Sequence, residues 1–519
     1  MKQFNFPWMR LLLAAVVGMS GLWVQGQTVT KRVALVNGGT FGNQAENAHI
    51  IWWDTEAAQV VGTDTIGTQS IQDVLVDGRM VYVAAQDSIV KYDAATGARV
   101  AATAFGSPST IKLTQYANYL LVGNWYGSST DNLRIFSKDS LKLVNASFPE
   151  IDKGAKDLLI VGDSLYVSQN YTTSSFSDSA GYLAVISLRD FSFSRYITFN
   201  NNDEELGRLV YQDSVIYGLN GSSETITSFH LGTEVSQTLP AGVNVEVGGY
   251  GQQYTFVGDE LVFKFDGGIG SYNLSQRAIV DSSIVDTAIT AFVRDTVNQL
   301  WYLTQTDFFS FSKVAIYDDA GQKQGETPVG NSPEALGMVY NRLPMAAVDS
   351  FSVASGGEVK MFLLGNDSDP DLDPLSITLP NVPSQGSLTN LGDSVLYTAP
   401  AGFSGLDSFY YVLNDVWGDT DTAWVYLEVG NATPLEDELL AKVQIYPNPA
   451  QQNLWIEAGA SLGREASWEM RSTDGRLVGQ GKLNAVVRQQ ITLPEAAAGA
   501  YFLRIRNQGA VRSLLFLKQ

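Results

Sequence analysis

The chain has 519 residues, with 33 basic and 54 acidic side chains, so its formal net charge is −21. This length predicts roughly three domains, and the acidic surface argues against nucleic acid as a partner. Cysteine is absent, which excludes disulfides, thiolate catalysis and cysteine-bound metals, and only His49 and His230 are available for imidazole chemistry.

The N-terminal segment has the features of a signal peptide. Lys2 and Arg10 give a positive start, residues 11–24 are apolar, and small residues follow. A membrane anchor is the alternative, but a spanning helix needs about 20 apolar residues. We therefore predict a signal peptide over residues 1–26, export through the periplasm, and no transmembrane segment in the mature chain.

A short polar turn followed by an aliphatic and aromatic strand recurs along the next 300 or so residues. One copy is Asp163-Ser164-Leu165-Tyr166-Val167, and the equivalents of Leu165 are residues 80, 120, 215, 261 and 300, spaced 39 to 50 residues apart. Repeats of this length that contain only short strands are typical of β-propeller blades.

The pattern predicts four strands per blade, with the strand before each polar turn innermost. The number of inner strands is seven if residues 245–256 contain an irregular inner strand and residues 334–340 form the last one. The last strand has no partners after it, and the first strands, from Val33 onward, have no inner strand before them. We predict that residues 334–340 complete the blade begun at Val33, which closes a propeller over residues 27–343 without exposed sheet edges.

Two motifs connect this region with a known family. Tyr166-Val167-Ser168-Gln169-Asn170 and Val90-Lys91-Tyr92-Asp93 resemble the repeats of YVTN-type seven-bladed propellers, a group that includes many secreted and surface-layer proteins. The resemblance implies a fold and leaves the function open.

The long loops between second and third strands are the predicted ligand-binding elements. These loops, at residues 37–47, 123–132, 169–181 and 220–224, are rich in Asn, Ser and Gly and carry Trp125, Tyr126 and Tyr171. Aromatic rings beside amides suit recognition of glycan or protein, although long loops are also polar for general reasons. Four asparagines follow second strands: Asn37, Asn124, Asn170 and Asn220. Their amides either form a ring near the propeller axis or occupy turn positions, where Asn is common.

An enzyme is the alternative. Asp73, Asp157, Glu246 and Glu334 lie on or beside predicted inner strands, where they would converge on a metal in the central channel, as in propeller lactonases. The protein would then be a secreted hydrolase or lyase. Nothing in the spacing distinguishes these four residues from structural carboxylates.

Residues 344–430 form a strongly acidic module, with Lys360 as the single basic residue against twelve acidic ones. Alternating strands run through it. The acidic stretch at residues 365–374, followed by the Tyr-Thr-Ala-Pro-Ala-Gly-Phe sequence that starts at Tyr397, resembles bacterial Ig-like, cadherin-like repeats.

Five oxygen-bearing side chains crowd one loop of this module: Asn366, Asp367, Asp369, Asp371 and Asp373. Their mutual repulsion would be relieved by Ca²⁺, which takes about 6–8 oxygen ligands. Because Asp and Asn are also common turn residues, a solvated turn is the alternative.

After a linker at residues 431–442 the composition changes, and residues 443–519 hold nine basic and five acidic side chains. Three motifs follow in order: Tyr446-Pro447-Asn448-Pro449, the turn Asp474-Gly475, and a strand with Gly499 and Tyr501. Together they resemble the C-terminal sorting domain of type IX secretion in Bacteroidetes-type bacteria. The resemblance implies that the secretion machinery is a partner and that the protein is secreted or attached to the cell surface.

The sequence thus predicts an all-β chain, a seven-bladed β-propeller plus two Ig-like β-sandwich domains. The favoured function is a non-enzymatic, surface-displayed or secreted protein whose propeller is a binding or adhesion head for glycan or protein. No cofactor is predicted other than Ca²⁺.

Overall fold

The structure is a computed structural model. It describes residues 27–38, 47–68, 70–104, 111–124, 132–172, 178–199, 206–220, 224–242, 254–265, 268–306, 312–330, 332–392, 394–430, 440, 442–448, 450–458, 462, 466–472, 476–484, 487–497, 499–507 and 510–518. The predicted signal peptide lies outside these residues. The chain divides into two compact units, Thr28–Asn341 and Arg342–Gln519.

The described residues of the first unit form seven four-stranded sheets. The strands are β1 (Thr28–Asn37), β2 (Ala48–Asp54), β3 (Gln59–Ile66), β4 (Ile71–Asp77), β5 (Met80–Ala85), β6 (Ser88–Asp93), β7 (Arg99–Ala104), β8 (Ile111–Tyr116), β9 (Tyr119–Asn124), β10 (Leu133–Ser137), β11 (Leu143–Asn145), β12 (Asp157–Val161), β13 (Ser164–Thr172), β14 (Asp178–Ser187), β15 (Ser192–Thr198), β16 (Arg208–Gln212), β17 (Val215–Asn220), β18 (Thr225–His230), β19 (Ser236–Pro240), β20 (Tyr254–Val257), β21 (Glu260–Phe265), β22 (Gly268–Asn273), β23 (Ala278–Val285), β24 (Ala291–Asp295), β25 (Leu300–Thr306), β26 (Ser312–Asp318), β27 (Lys323–Pro328) and β28 (Pro333–Arg342).

The order of the strands confirms the seven-bladed propeller and the way it closes. Six blades each take four consecutive strands, whereas the blade of β1, β2 and β3 takes its innermost strand, β28, from the end of the unit. Neighbouring first strands lie side by side, β4 with β8 and β8 with β12, so the strand before each polar turn is the inner one. The irregular inner strand is β20, at the end of the predicted segment.

The apolar cores lie between adjacent blades. Val33 and Trp53 of the closing blade, for example, pack with Val293 and Tyr302 of the blade before it. A sheet covered on both faces needs apolar side chains at successive positions. This explains the continuous aliphatic runs in the second strands, such as β5. The fourth strands, such as β7, lie at the outer edge of the blades and are more exposed.

One predicted loop is shorter in the structure than in the sequence interpretation. Strand β13 continues to Thr172, and Asn170 and Tyr171 pair with Gly181 and Ala180 of β14. The aromatic and β-branched residues of this segment favour an extended strand, which extends the hairpin into the region assigned to the loop.

The second unit contains two sandwiches, the first of which is the Ig-like module. Its elements are β29 (Asp349–Ala354), β30 (Glu358–Met361), a 3₁₀ turn (Leu363–Gly365), β31 (Ser376–Thr378), β32 (Ser387–Asn390), β33 (Val395–Thr398), β34 (Gly405–Asn414) and β35 (Thr420–Gly430). Sheet β29-β35-β34-β31 faces sheet β30-β33-β32, and their inner faces form one core.

The C-terminal module is the second sandwich. Its strands are β36 (Gln444–Tyr446), β37 (Asn453–Glu457), β38 (Ser467–Ser472), β39 (Leu477–Lys482), β40 (Arg488–Thr492), β41 (Gly499–Asn507) and β42 (Ala510–Lys518). They form a three-stranded sheet, β36-β37-β40, and a four-stranded sheet, β39-β38-β41-β42. The predicted all-β fold class is therefore confirmed.

Candidate functional site

The connections from second to third strands, and from each fourth strand to the next blade, leave the propeller on one face. We call this the loop face. Of the residues predicted to bind ligand there, Trp125 and Tyr126 lie outside the described residues. Asn170 and Tyr171 are placed by their backbone in β13, and their side chains are not described.

Asn37, Asn124 and Asn220 end the second strands of three blades, and all three are buried. Nδ2 of Asn37 donates to the carbonyl of Val329 in the connection to β28, and Nδ2 of Asn220 donates to two threonine hydroxyls of β18 at 3.0 and 2.9 Å. Within the described structure, the Oδ1 atoms of all three amides are buried without a hydrogen-bond partner. Two of these amides therefore connect strand ends, and the ring of amides around the axis stays a prediction.

An aromatic cluster on the blade of β12 to β15 was missed by the sequence reasoning, and its two tyrosines lie towards the loop face, where Tyr182 pairs with Thr198, the last residue of β15. The rings of Tyr182 in β14 and Tyr196 in β15 lie 5.4 Å apart, edge to face, and Phe193 lies 4.7 Å from Tyr196. Tyr196 is 44% exposed. None of the three residues belongs to a recognised motif, and only the pairing of β14 with β15 brings them together.

The cluster is attached to residues 150–153, which lie between β11 and β12. The hydroxyl of Tyr196 donates to the carbonyl of Glu150 at 2.8 Å, and that of Tyr182 donates to Asp152 at 3.3 Å. The buried amide of Gln169 binds the same segment twice, accepting from the Lys153 N–H and donating to the Glu150 carbonyl, both at 3.2 Å. The segment and the rings therefore form one preorganised surface.

Charges surround these rings. Asp152 and Lys153 form an ion pair at 3.1 Å, with both side chains partly exposed. Burial, followed by the nearby carboxylates of Asp152 and Glu150, raises the pKa of Tyr196, so its phenol stays protonated at neutral pH. The surface thus offers aromatic ring faces, a carboxylate and an ammonium group within one small area. That combination suits a polar ligand with apolar faces, such as a sugar or a peptide side chain.

The inner-strand carboxylates of the enzyme alternative join neighbouring blades. Asp73 in β4 accepts the N–H of Leu113 in β8 at 3.0 Å, and Asp157 in β12 accepts the N–H of Leu209 in β16 at 2.7 Å. Lys112 lies 3.0 Å from Asp73, and Arg208 lies 3.4 Å from Asp157. These contacts give both carboxylates a structural role.

Glu334 makes the same kind of contact at the closure of the ring. Its carboxylate accepts the N–H of Ile71 in β4 at 2.8 Å and the hydroxyl of Ser332 at 3.1 Å. A side chain at Gly38 would overlap the Glu334 carboxylate, so only glycine permits this approach. Burial raises the pKa of Glu334 to about 7. The fourth carboxylate, Glu246, lies outside the described residues.

The side chains of the acidic loop in the Ig-like sandwich make different contacts and play different structural roles. Asp371 pairs with Arg342 at 2.8 Å, and Oδ1 of Asp369 accepts the N–H groups of Asp371 and Asp373. Asn366 is exposed, and its amide lies 3.3 Å from a backbone carbonyl. Asp371 thus contributes to an ion pair, and Asp369 stabilises the turn.

Asp367 instead meets Asp349 of β29, a residue that the sequence reasoning did not select. Oδ1 of Asp367 accepts the hydroxyl of Tyr411 at 2.8 Å and the N–H of Ala347 at 2.8 Å. Burial, followed by the charge of Asp367, raises the pKa of Asp349 to about 7. One buried oxygen on each of Asp349, Asp367 and Asp369 has no hydrogen-bond partner in the described structure.

Across the described parts of the chain, no group of three or more acidic or histidine side chains has the arrangement of a metal site. The five predicted ligands do not converge on one point. Calcium binding in this loop therefore stays a prediction, supported only by the unsatisfied oxygens.

In the C-terminal module, the Tyr-Pro-Asn-Pro motif is tied to the last strand. Oδ1 of Asn448 accepts the N–H of Leu517 at 2.8 Å, and the Tyr446–Pro447 peptide bond is cis. Tyr446 donates its hydroxyl to Glu457. In the third motif, which starts at Gly499, the hydroxyl of Tyr501 donates to the Ala497 carbonyl at 2.8 Å. Pro449, Asp474 and Gly475 lie outside the described residues.

Arg488 stacks against the same motif. Its guanidinium lies 4.3 Å from the Trp455 ring centroid and 5.1 Å from that of Tyr446. The three side chains come from β40, β37 and β36, so this contact spans the whole three-stranded sheet. The motif thus helps to build the module as well as to mark it.

Two family matches assign the second unit. Residues 341–428 match the family described as "Bacterial Ig domain". Residues 444–515 match the family described as "Secretion system C-terminal sorting domain". No curated protein matches the chain.

Several solved propeller structures are similar at a low level. A quinonprotein alcohol dehydrogenase-like protein from Bacteroides thetaiotaomicron has 15% identity and a TM-score of 0.44, with 60% of this chain and 78% of that chain covered. BamB from Moraxella catarrhalis has 12% identity and a TM-score of 0.36, with 61% and 96% covered. At these values the similarities add nothing about function.

The domains and the route of export follow from these matches together with the fold. Within the part of the chain that the structure describes, none of the helical segments has the length and apolar character to cross a membrane. The chain carries a seven-bladed propeller, a bacterial Ig domain and a secretion-system C-terminal sorting domain. Type IX secretion exports it, so the protein is secreted or lies on the cell surface.

Proposed function

We propose that the propeller is the recognition head of an exported, non-enzymatic binding or adhesion protein, and that its loop face binds glycan or protein. The observation that carries the proposal is the pair of Tyr182 and Tyr196 towards the loop face, with the ring of Phe193 against that of Tyr196. The Ig-like domain acts as a spacer, and the signal peptide and sorting domain direct export.

Preorganisation supports this assignment. Gln169 and the two tyrosine hydroxyls already hold residues 150–153 in place, so a ligand would lose little free energy in ordering them. Exposed aromatic side chains that hold a fixed position are frequent energetic centres of binding surfaces. The nearby charged pair of Asp152 and Lys153 would supply specificity for polar groups.

The contacts of the inner-strand carboxylates give the enzyme alternative less support than the aromatic cluster gives the binding role. Asp73, Asp157 and Glu334 each accept a backbone N–H from the next blade, which accounts for their burial without catalysis. No observation in the described structure favours a hydrolase or lyase over a binding protein.

The experiment is a screen of the intact exported chain against glycan and host-protein arrays. We expect at least one ligand class to be retained and Tyr196→Ala to weaken its binding. Tyr211→Ala is the matched control, because Tyr211 is similarly exposed but lies at the turn end of its strand, away from the loop face.

A ligand whose binding is lost equally in both variants would not be bound at the aromatic cluster. Binding that depends instead on Trp125 and Tyr126 would keep the loop face as the recognition surface and move its centre to the neighbouring loop. If the chain bound no ligand on either array, the assignment of the propeller as a recognition head would be contradicted.

A further inference from the structure

Phe502 of the sorting domain lies on an outer face but is not exposed. Along β41 the side chains alternate, and Tyr501, Leu503 and Ile505 all belong to the core of the domain. Phe502 and Arg504 therefore point to the opposite face of the sheet. Phe502 is nevertheless only 4% exposed, so other side chains cover its ring on this outer face.

One side chain that packs on it is Tyr426 of the Ig-like domain, in the same compact unit. The two rings meet edge to face, with centroids 5.3 Å apart. Val425 and Leu427 belong to the Ig-like core, so Tyr426 also lies on an outer face. Strand β29, the neighbour of β35, approaches β42, so the outer faces of two sheets meet.

A charged pair repeats the contact two residues further along both strands. Arg504 follows Phe502 on the same face of β41, Glu428 follows Tyr426 on the same face of β35, and the two form a salt bridge. Their side chains are 27% and 11% exposed, so much of their hydration has been lost. Partly buried charges are costly unless they are paired, which makes this contact selective for one relative position.

Aromatic and charged pairs with the same spacing on both strands are the mark of a specific interface. We propose that the outer face of the Ig-like domain, centred on Tyr426 and Glu428, is a docking surface for the chain's own sorting domain, which binds through Phe502 and Arg504. The proposal does not depend on what the propeller binds.

Docking decides which surface of the sorting domain is accessible before export. The outer face of β41 and β42 is occupied, whereas the three-stranded sheet with Tyr446, Trp455 and Arg488 is on the other side of the sandwich. The secretion machinery would then approach the three-stranded sheet first. The Ig-like domain thus orients the sorting domain.

Charge reversal in the intact chain tests the docking. In Glu428→Lys, two positive charges would face each other, and we expect hydroxyl-radical labelling of Phe502 to rise by about tenfold. Arg504→Glu should raise it similarly, and the double exchange Glu428→Lys with Arg504→Glu should return it towards the wild-type level. The labelled ring belongs to the domain that Glu428→Lys leaves unchanged.

Arg506→Ala is the matched control. Arg506 lies on the same face of β41 as Arg504 but pairs with Glu469 of its own domain at 3.1 Å, so labelling of Phe502 should stay at the wild-type level. Unchanged labelling of Phe502 in both reversals would overturn the proposal. Equal labelling of Phe502 and the core residue Tyr501 would also overturn it, because that result means unfolding rather than undocking.

Discussion

Replacing Glu334 with glutamine should remove a pH dependence from the propeller's stability. Glu334 belongs to β28, the strand that closes the ring, and burial raises its pKa to about 7 from an ordinary value of 4.5. Protonation is therefore favoured in the folded state. The stabilisation is fully present below about pH 4.5 and is lost as the pH rises through about 7.

The magnitude follows from the size of the pKa change. Each unit corresponds to about 1.4 kcal/mol, so wild type should lose about 3 kcal/mol through this group between pH 4 and pH 8. The glutamine of the variant would stay neutral and could still accept the N–H of Ile71 through its amide oxygen. The difference in unfolding free energy between variant and wild type should therefore grow in favour of the variant as the pH rises.

Urea unfolding of the two proteins at pH 4.5, 6 and 8 measures this difference, because titration of all other groups cancels in the comparison. Glu56→Gln provides the control, since Glu56 is an exposed carboxylate of the same propeller. Parallel pH profiles for wild type and Glu334→Gln would refute the argument. A profile for Glu56→Gln like that of Glu334→Gln would refute it too.

Three further predictions concern the other sites. Asp157→Ala leaves the N–H of Leu209 without its acceptor and should lower the unfolding free energy by about 2 kcal/mol, measured in urea, whereas Asp163→Ala at an exposed ion pair should change it little. Asn448→Ala should speed amide exchange in the last strand of the sorting domain about fivefold, and exchange at the wild-type rate would contradict the contact described here. Ca²⁺ at about 100 times its Kd should stabilise the Ig-like domain by about 2.7 kcal/mol, and Asp367→Asn should abolish the effect; no response to Ca²⁺ would remove the calcium prediction.

The propeller could be predicted because its signals are local and repeated. Each polar turn and the strand after it lie within about ten residues, and the surplus strand at residues 334–340 had one place to pair. Strand β29 gave no such signal. Its segment, Asp349–Ala354, alternates polar and apolar residues weakly and pairs in parallel with β35, more than 70 positions away.

The contacts that make up the candidate sites are less accessible to sequence reasoning. Tyr182 and Tyr196 come from different strands, and their partners at residues 150–153 precede both. Asp349 meets Asp367 only because the loop before β31 returns to Ala347, just before β29, and to Tyr411 of β34. The alternation of side chains along β41 places Phe502 on an outer face. An apolar residue at such a position indicates that the face is covered, but it does not identify Tyr426 as the partner.

Binding at the aromatic cluster is the central claim, and the affinity of the intact chain for its best array ligand tests it most directly. We predict that Tyr196→Ala raises the Kd by about tenfold or more, whereas Tyr211→Ala changes it by less than about twofold. Equal affinities of wild type and Tyr196→Ala would contradict the assignment of the recognition surface to this part of the propeller.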